Sequence, residues 1–205
     1  MCGRFDIIEK LVKAFVDSQF NINFDINSNH DVRPTQTVAT LAQQDGAVVQ
    51  IAADWGIKPH WANKLLINAQ SETVASKKTF AKAFATKRCL VPCSGWFEWS
   101  SFSSEEDAFH LSDEVTSKQK TKYYFHATDK KPLLMAGILF QKENDHQLVT
   151  LTTQPLEVAK PYHHRMPLLI SAPESDFWFH ASNEEIQPLL SNSQVLSLVI
   201  EKSPY

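Results

Sequence analysis

Four positions in this chain carry residue types that could share one chemistry: Cys2, Asn68, Glu98 and His163. Cys2 follows the initiator Met, so removal of Met1 would leave an amine and a thiol on one residue. Such a 1,2-aminothiol condenses with an aldehyde to an imine, and the thiol then closes the imine into a five-membered thiazolidine. An internal Cys cannot do this, because its nitrogen is an amide. An α-amine titrates near about 7.7–8.0, so part of it is neutral at pH 7. A thiol near about 8.5 needs only modest activation to become nucleophilic. Taken alone, Cys2 also reads as an ordinary cysteine, since a thiol's role depends on its surroundings.

Asn68 stands in INAQSET, where its amide can donate and accept and so orient a nucleophile or a substrate oxygen. A structural turn Asn is the plainer reading. Glu98 is the penultimate residue of the aromatic run RCLVPCSGWFEW. Read as one strand, alternation puts Arg88, Leu90, Pro92, Ser94, Trp96 and Glu98 on one face. A carboxyl beside Trp and Phe loses hydration, which raises its pKa and suits it to proton transfer. A strand-end Glu paired with a Lys is the other possibility. HHRMP, residues 163–167, offers His163 or His164 as acid or base near neutral pH, and Arg165 for a phosphate or a carboxylate. Histidines just before a strand are often only hydrogen-bonded structural residues.

A possible nucleic-acid surface accompanies these groups. Trp61 and Trp99 could stack on exposed bases, and Arg4, Lys77, Lys78, Lys82, Lys87 and Arg88 could meet phosphates. The stretch 76–88 holds five basic residues and no acidic one. A solvated lysine face and core aromatics would give the same pattern.

Positioning residues so far apart requires a folded core. The chain has 205 residues, 43% of them hydrophobic, which suits one large domain, residues 1–205. The net charge of −3 argues against coating DNA through bulk charge but leaves room for a local basic groove. No apolar run reaches the roughly 18–20 residues that cross a bilayer, and MCGRFDIIEK lacks the pattern of a secretory signal. Three cysteines do not suggest a disulfide framework. The expectation is a cytoplasmic monomer, nucleoid-associated if bacterial, with free thiols.

Residues 5–16 have helical apolar spacing, and 76–85 read as a short basic helix. TVATLAQ and VVQIAADWGI predict a hairpin around Asp45-Gly46. RCLVPCSGWFEWS, KYYFHAT, LLMAGILF, QLVTLTT, MPLLIS and VLSLVIE read as strands, and PESDFWFHA and NEEIQPLLS as late helices. The Ser- and charge-rich stretch 100–122 reads in its first part as an exposed hairpin connection. Strands outnumber helices without regular alternation. The predicted class is therefore α+β, a single domain around a strongly bent, barrel-like, mainly antiparallel sheet with peripheral helices.

The ordered set MCGRF, VRPTQTV, WGIKPHW, INAQSET, RCLVPCSGWFEW, MAGILF, VTLTT and HHRMPLLI resembles the SOS-response-associated peptidase (SRAP) family over residues 1 to about 170. The resemblance implies that Cys2 crosslinks covalently, as a thiazolidine, to abasic sites in single-stranded DNA. It implies that Asn68 positions the opened sugar, that Glu98 shuttles protons, and that His163 protonates or stabilises the sugar oxygen. It places Arg4, Trp61 and Trp99 near DNA, and it implies no cofactor and no metal. Lys77, Arg88 and Arg165 are added as DNA contacts from their charge. The chain departs from the family at Gln70, where Arg is usual, so a phosphate contact is absent or supplied elsewhere. It departs again at His164, where an acid is common, and at Asp31, where Asn is frequent.

Two other classes compete. An N-terminal-nucleophile cysteine peptidase would use the same Cys2, Glu98 and His163, and self-removal of Met1 would be such an activity. A zinc-stabilised module would use Cys89 and Cys93, whose spacing fits C-x(2–4)-C. It would lack a second tight ligand pair unless the adjacent His163 and His164 served, and adjacent side chains are expected to diverge.

Overall fold

A computed structural model of the chain describes residues 2–101, 120–191 and 197–203. Most of the connection expected after residue 100 lies outside the described residues, as does Met1. The five-stranded sheet contains β1 (Phe5–Ile7), β2 (Asn29–Val32), β7 (Gly95–Ser100), β8 (Thr121–Ala127) and β12 (Leu198–Lys202). Its order is β12-β8-β7-β1-β2. The other sheet contains β3 (Thr37–Gln44), β4 (Ala47–Trp55), β5 (Asn68–Gln70), β6 (Arg88–Cys93), β9 (Leu133–Lys142), β10 (Asp145–Thr153) and β11 (Met166–Pro167). In it β10, β4, β3, β6 and β9 pair in sequence, and β9 pairs back onto β10, which closes the circuit into a barrel. Closure leaves no unpaired edge among these five strands. Pairing is antiparallel except where β10 meets β4 and β5. The barrel-like α+β expectation holds, with a second sheet beside the barrel.

The β3–β4 hairpin turns at Asp45 and Gly46, whose φ values of 50° and 82° fit a two-residue hairpin turn. The other helices and strands follow the sequence with instructive exceptions. Residues 5–7 form a strand, and the helix α1 spans Glu9–Phe20. Phe5 and Ile7 pair with β2, Phe5 and Asp6 pair with β7, and all three side chains are buried, so tertiary pairing overrides the short helical pattern. Val12 and Val16 supply the buried stripe of α1, and Asn21 at φ 53° ends it.

The basic helix is shorter and later than expected: α2 spans Ala81–Thr86, after a 3-10 turn at Ser71–Thr73. RCLVPCSGWFEWS is two strands, β6 and β7, in different sheets. The break falls at Ser94, whose N–H donates to Asp6 O at 2.8 Å and whose hydroxyl accepts from Ile8 N–H at 2.8 Å. Gly95 permits the new course, since a Cβ there would lie 2.4 Å from Phe125 O. The expected single face from Arg88 to Glu98 therefore does not exist.

Near the C-terminus, α3 spans Ser175–His180 behind a capping box made by Ser171 and Glu174. NEEIQPLLS yields only a 3-10 turn at Gln187–Leu190, in keeping with the missing N–H of Pro188. MPLLIS is reduced to Met166–Pro167 plus one bridge from Leu169 to Met135. One apolar core joins both sheets, with Trp55, Trp96, Trp178 and Phe84 wholly buried. Among the described residues no helix is long and apolar enough to cross a membrane.

Candidate functional site

The chain enters the five-stranded sheet at Cys2, just ahead of β1. Cys2 is 1% exposed. Its carbonyl accepts a hydrogen bond from Asn68 Nδ2 at 2.9 Å. Asn68 is held in turn by β5, which pairs in parallel with β10 and sets Asn68 opposite Thr150. The Thr150 hydroxyl donates to Asn68 Oδ1 at 2.5 Å, so the amide's orientation is set by its neighbours. Thr150 is a positioning residue that the sequence reading missed. Its signal was a pair of hydroxyls, Thr150 and Thr152, two apart and interleaved with the buried Val149 and Leu151.

Burial pushes the Cys2 thiol well above its usual pKa, and electrostatic coupling to Glu98 and then to Cys93 adds to this. Such coupling is little screened by water where both groups are buried, as the Cys2 thiol and the Glu98 carboxyl are. Glu98 itself is 4% exposed, and burial lifts it from the usual 4.5 to about 7. The direction is the one expected from its sequence neighbours, but the neighbours differ. Glu98 shares its sheet face with Trp96 and Tyr123, whereas Phe97 and Trp99 point to the opposite face.

His163 follows Tyr162, whose ring lies on this face. The Tyr162 ring packs on Tyr123 at 4.6 Å and on Phe125 at 5.6 Å, and these residues lie directly opposite Glu98 and Trp96. His163 Nδ1 lies 3.0 Å from both the N and the O of Arg165, so proton exchange at this ring falls to Nε2. Burial lowers the His163 pKa to about 4, with His164 and Lys120 among the charges that assist. The His163 and His164 rings do not diverge; they stack at 4.3 Å.

The residues read as DNA contacts divide sharply. Trp61 is 60% exposed and Trp99 37% exposed, and Lys77 is exposed. Arg4 lies over the Trp99 ring at 5.7 Å, and its Nη1 donates to both carboxylate oxygens of Asp31 at 2.6 and 2.7 Å. Arg88 and Arg165 require correction, because each is only 7% exposed. Arg88 donates to the carbonyls of Phe179 and Ala181 and sits over the Phe84 and Trp178 rings. Arg165 holds Glu72 with two bonds of 2.7 Å and also donates to Thr152 O. Both guanidiniums are committed to tying elements together and present no face to a phosphate.

Cys89 and Cys93 are buried free thiols on β6, and burial raises both. Among the described residues no group of three or more His, Cys, Asp or Glu side chains is arranged to hold a metal ion.

A model of the SOS response associated peptidase (SRAP) family matches residues 1–202. The abasic site processing protein YoaM of Bacillus subtilis is 27% identical over 199 residues, covering 89% of this chain and 81% of its own. The abasic site processing protein YedK of Escherichia coli is 26% identical over 192 residues, covering 87% and 79%. The fold is similar to the crystal structure of a phage-related protein from Bordetella bronchiseptica, with a TM-score of 0.77 at 21% identity over 100% of this chain and 95% of that one. With the family model matched across nearly its whole length, the chain belongs to the SRAP family.

Proposed function

We propose that this protein processes abasic sites in single-stranded DNA by forming a thiazolidine between Cys2 and the open sugar aldehyde. The observation that carries the reading is the hydrogen bond that Asn68 donates to the Cys2 carbonyl; the electrostatic coupling of the buried Cys2 thiol to the buried Glu98 carboxyl supports it. The names of similar proteins support the substrate.

An abasic deoxyribose is mainly a closed hemiacetal. Glu98, titrating at about 7, exists in both forms near neutral pH. Its acid form gives a proton to the ring oxygen as the C1–O bond breaks, and the C1 hydroxyl returns a proton to the carboxylate. His163, neutral at pH 7, hydrogen-bonds the sugar oxygen. With Met1 removed, the Cys2 amine adds to C1, and loss of one water gives the imine. The thiol sulfur then adds to C1, while its proton passes by way of Glu98 to the nitrogen. Burial keeps the thiol protonated until that step, so the neighbouring carboxylate is needed to accept its proton.

Single-stranded abasic oligonucleotide, denaturing gels and mass spectrometry test this. Cys2→Ser keeps the amine and yields an imine that borohydride traps, without the stable ring. Glu98→Gln slows adduct formation by about 10²–10⁴-fold while leaving DNA binding in place. Equal formation of a heat-stable adduct by protein that retains Met1 would sink the mechanism. A pure N-terminal-nucleophile peptidase, the competing reading, forms no DNA adduct at all.

A further inference from the structure

On the opposite sheet face from Glu98, five side chains form a strip across four neighbouring strands. Lys122 on β8 and Trp99 on β7 are paired across the sheet. The Lys122 ammonium lies 3.9 Å from the Phe97 ring centre and 5.6 Å from that of Trp99. Arg4, leading into β1, covers Trp99 from a distance of 5.7 Å. Asp31 on β2 accepts from Arg4 and, through Oδ2, from Arg33 Nε at 2.9 Å and Arg33 Nη2. Two guanidiniums thus share one carboxylate, and a third cation, Lys122, lies across Trp99 from Arg4, in a chain whose overall charge is −3.

The strip is ordered in advance. Arg33 N–H donates to Gln36 Oε1 at 2.7 Å, and Gln36 N–H donates to Arg33 O at 3.2 Å, closing a turn with Thr35 at φ 75°. Asp31 holds two guanidiniums side by side, while the Arg33 side chain stays 58% exposed. Burial alone would raise the Asp31 pKa, but its hydrogen bonds to Arg4 and Arg33 hold it below the usual range, so it remains ionised. Paired guanidiniums with donors to spare match the geometry of a phosphate, and a partly exposed Trp between cations suits a base.

We propose that Arg33 and Lys122 are phosphate contacts for the strand that carries the abasic site, and that Asp31 positions Arg4 and Arg33 as a two-guanidinium clamp. This rests on single-stranded DNA as the substrate. It supplies from β8 and from the residue that follows β2 the cationic contact that Gln70 cannot make. The strand runs across β8, β7, β1 and β2, at the end of the sheet where the chain enters at Cys2.

The test is binding of an undamaged single-stranded oligonucleotide by fluorescence anisotropy across a salt series. Each lost phosphate contact lowers the slope of log K against log salt by about 0.7. Arg33→Gln and Lys122→Gln each show that loss, and the double variant shows about twice as much. Lys142→Gln, at the end of β9 beside the β9–β10 turn, makes the same charge change and leaves the slope as in the parent protein. Asp31→Asn adds positive charge yet weakens binding, because the clamp loses its anchor; tighter binding would overturn the clamp. Parent-like slopes in both Arg33→Gln and Lys122→Gln would overturn the strip. Crosslinking of the parent protein to an abasic strand is scored separately. Its absence counts against the thiazolidine reading, while the salt slopes still decide this inference.

Discussion

Arg4 with Asp31 and Arg165 with Glu72 are both guanidinium–carboxylate pairs held by two short hydrogen bonds, from one nitrogen of Arg4 and from two of Arg165. Their surroundings differ. The Arg4 and Asp31 side chains are each 30% exposed, and the carboxylate is shared with a second arginine. The Arg165 side chain is 7% exposed and also satisfies the Thr152 carbonyl. An exposed pair contributes little to stability and can exchange its partner for a phosphate. A buried one cannot be released without leaving charge in a poor solvent. Burial, not residue type, separates the arginine that is open to a partner, DNA under the proposed function, from the one that holds the fold.

The largest effect should follow from Arg165→Ala. It strands Glu72 and the Thr152 carbonyl and should cost about 3 kcal/mol, the low end for a broken buried pair because Glu72 is partly exposed. A urea midpoint equal to that of the parent protein would return Arg165 to the list of DNA contacts.

Glu98 is a buried carboxyl whose cost depends on pH. Its pKa rises from 4.5 to about 7 on folding, so between those values the native state binds more protons than the unfolded one. Stability should therefore fall as pH climbs from about 4.5 to 7 and level off above, a loss of about 2–3 kcal/mol. Glu98→Gln should flatten that stretch of the stability profile, and a slope that survives in the variant would assign the titration elsewhere.

Arg88→Ala removes the bonds to Phe179 and Ala181 and the contacts with Phe84 and Trp178. A loss of about 2 kcal/mol in stability is expected, with DNA affinity kept in the folded fraction. Loss of affinity at full stability would reverse the assignment. Arg4→Ala should behave in the opposite way. Stability should change by less than about 1 kcal/mol, while single-stranded DNA affinity drops several-fold at low salt and the difference narrows as salt rises.

Much of the candidate site could be read from local chemistry. Glu98 sits in an aromatic run, which gives the direction of its pKa shift, although the burial comes from Trp96 and the cross-strand Tyr123 rather than from Phe97 and Trp99. The Asp45-Gly46 turn is dictated by residues that tolerate positive φ. Other features were hidden for physical reasons. Phe5–Ile7 carries too few residues to distinguish helix from strand, and only pairing with β2 and β7 decides it. Ser94 breaks an aromatic strand because its hydrogen bonds to Asp6 and Ile8 are long-range, so Arg88 and Glu98 diverge although they share a motif. Thr150 orients Asn68 across 82 residues, and no local pattern encodes that bond.

The amino-acid sequence by itself determined which functional groups exist: the Cys2 aminothiol that Met1 removal would expose, the amide, the carboxyl, the imidazole, and the alternation that builds the strands. These are properties of residue types and short spacings. Tertiary structure alone decided which groups share a low-dielectric pocket and which stay in water. Solvation is set by everything packed around a side chain, so Arg4 and Arg165, alike as residues, end with different work.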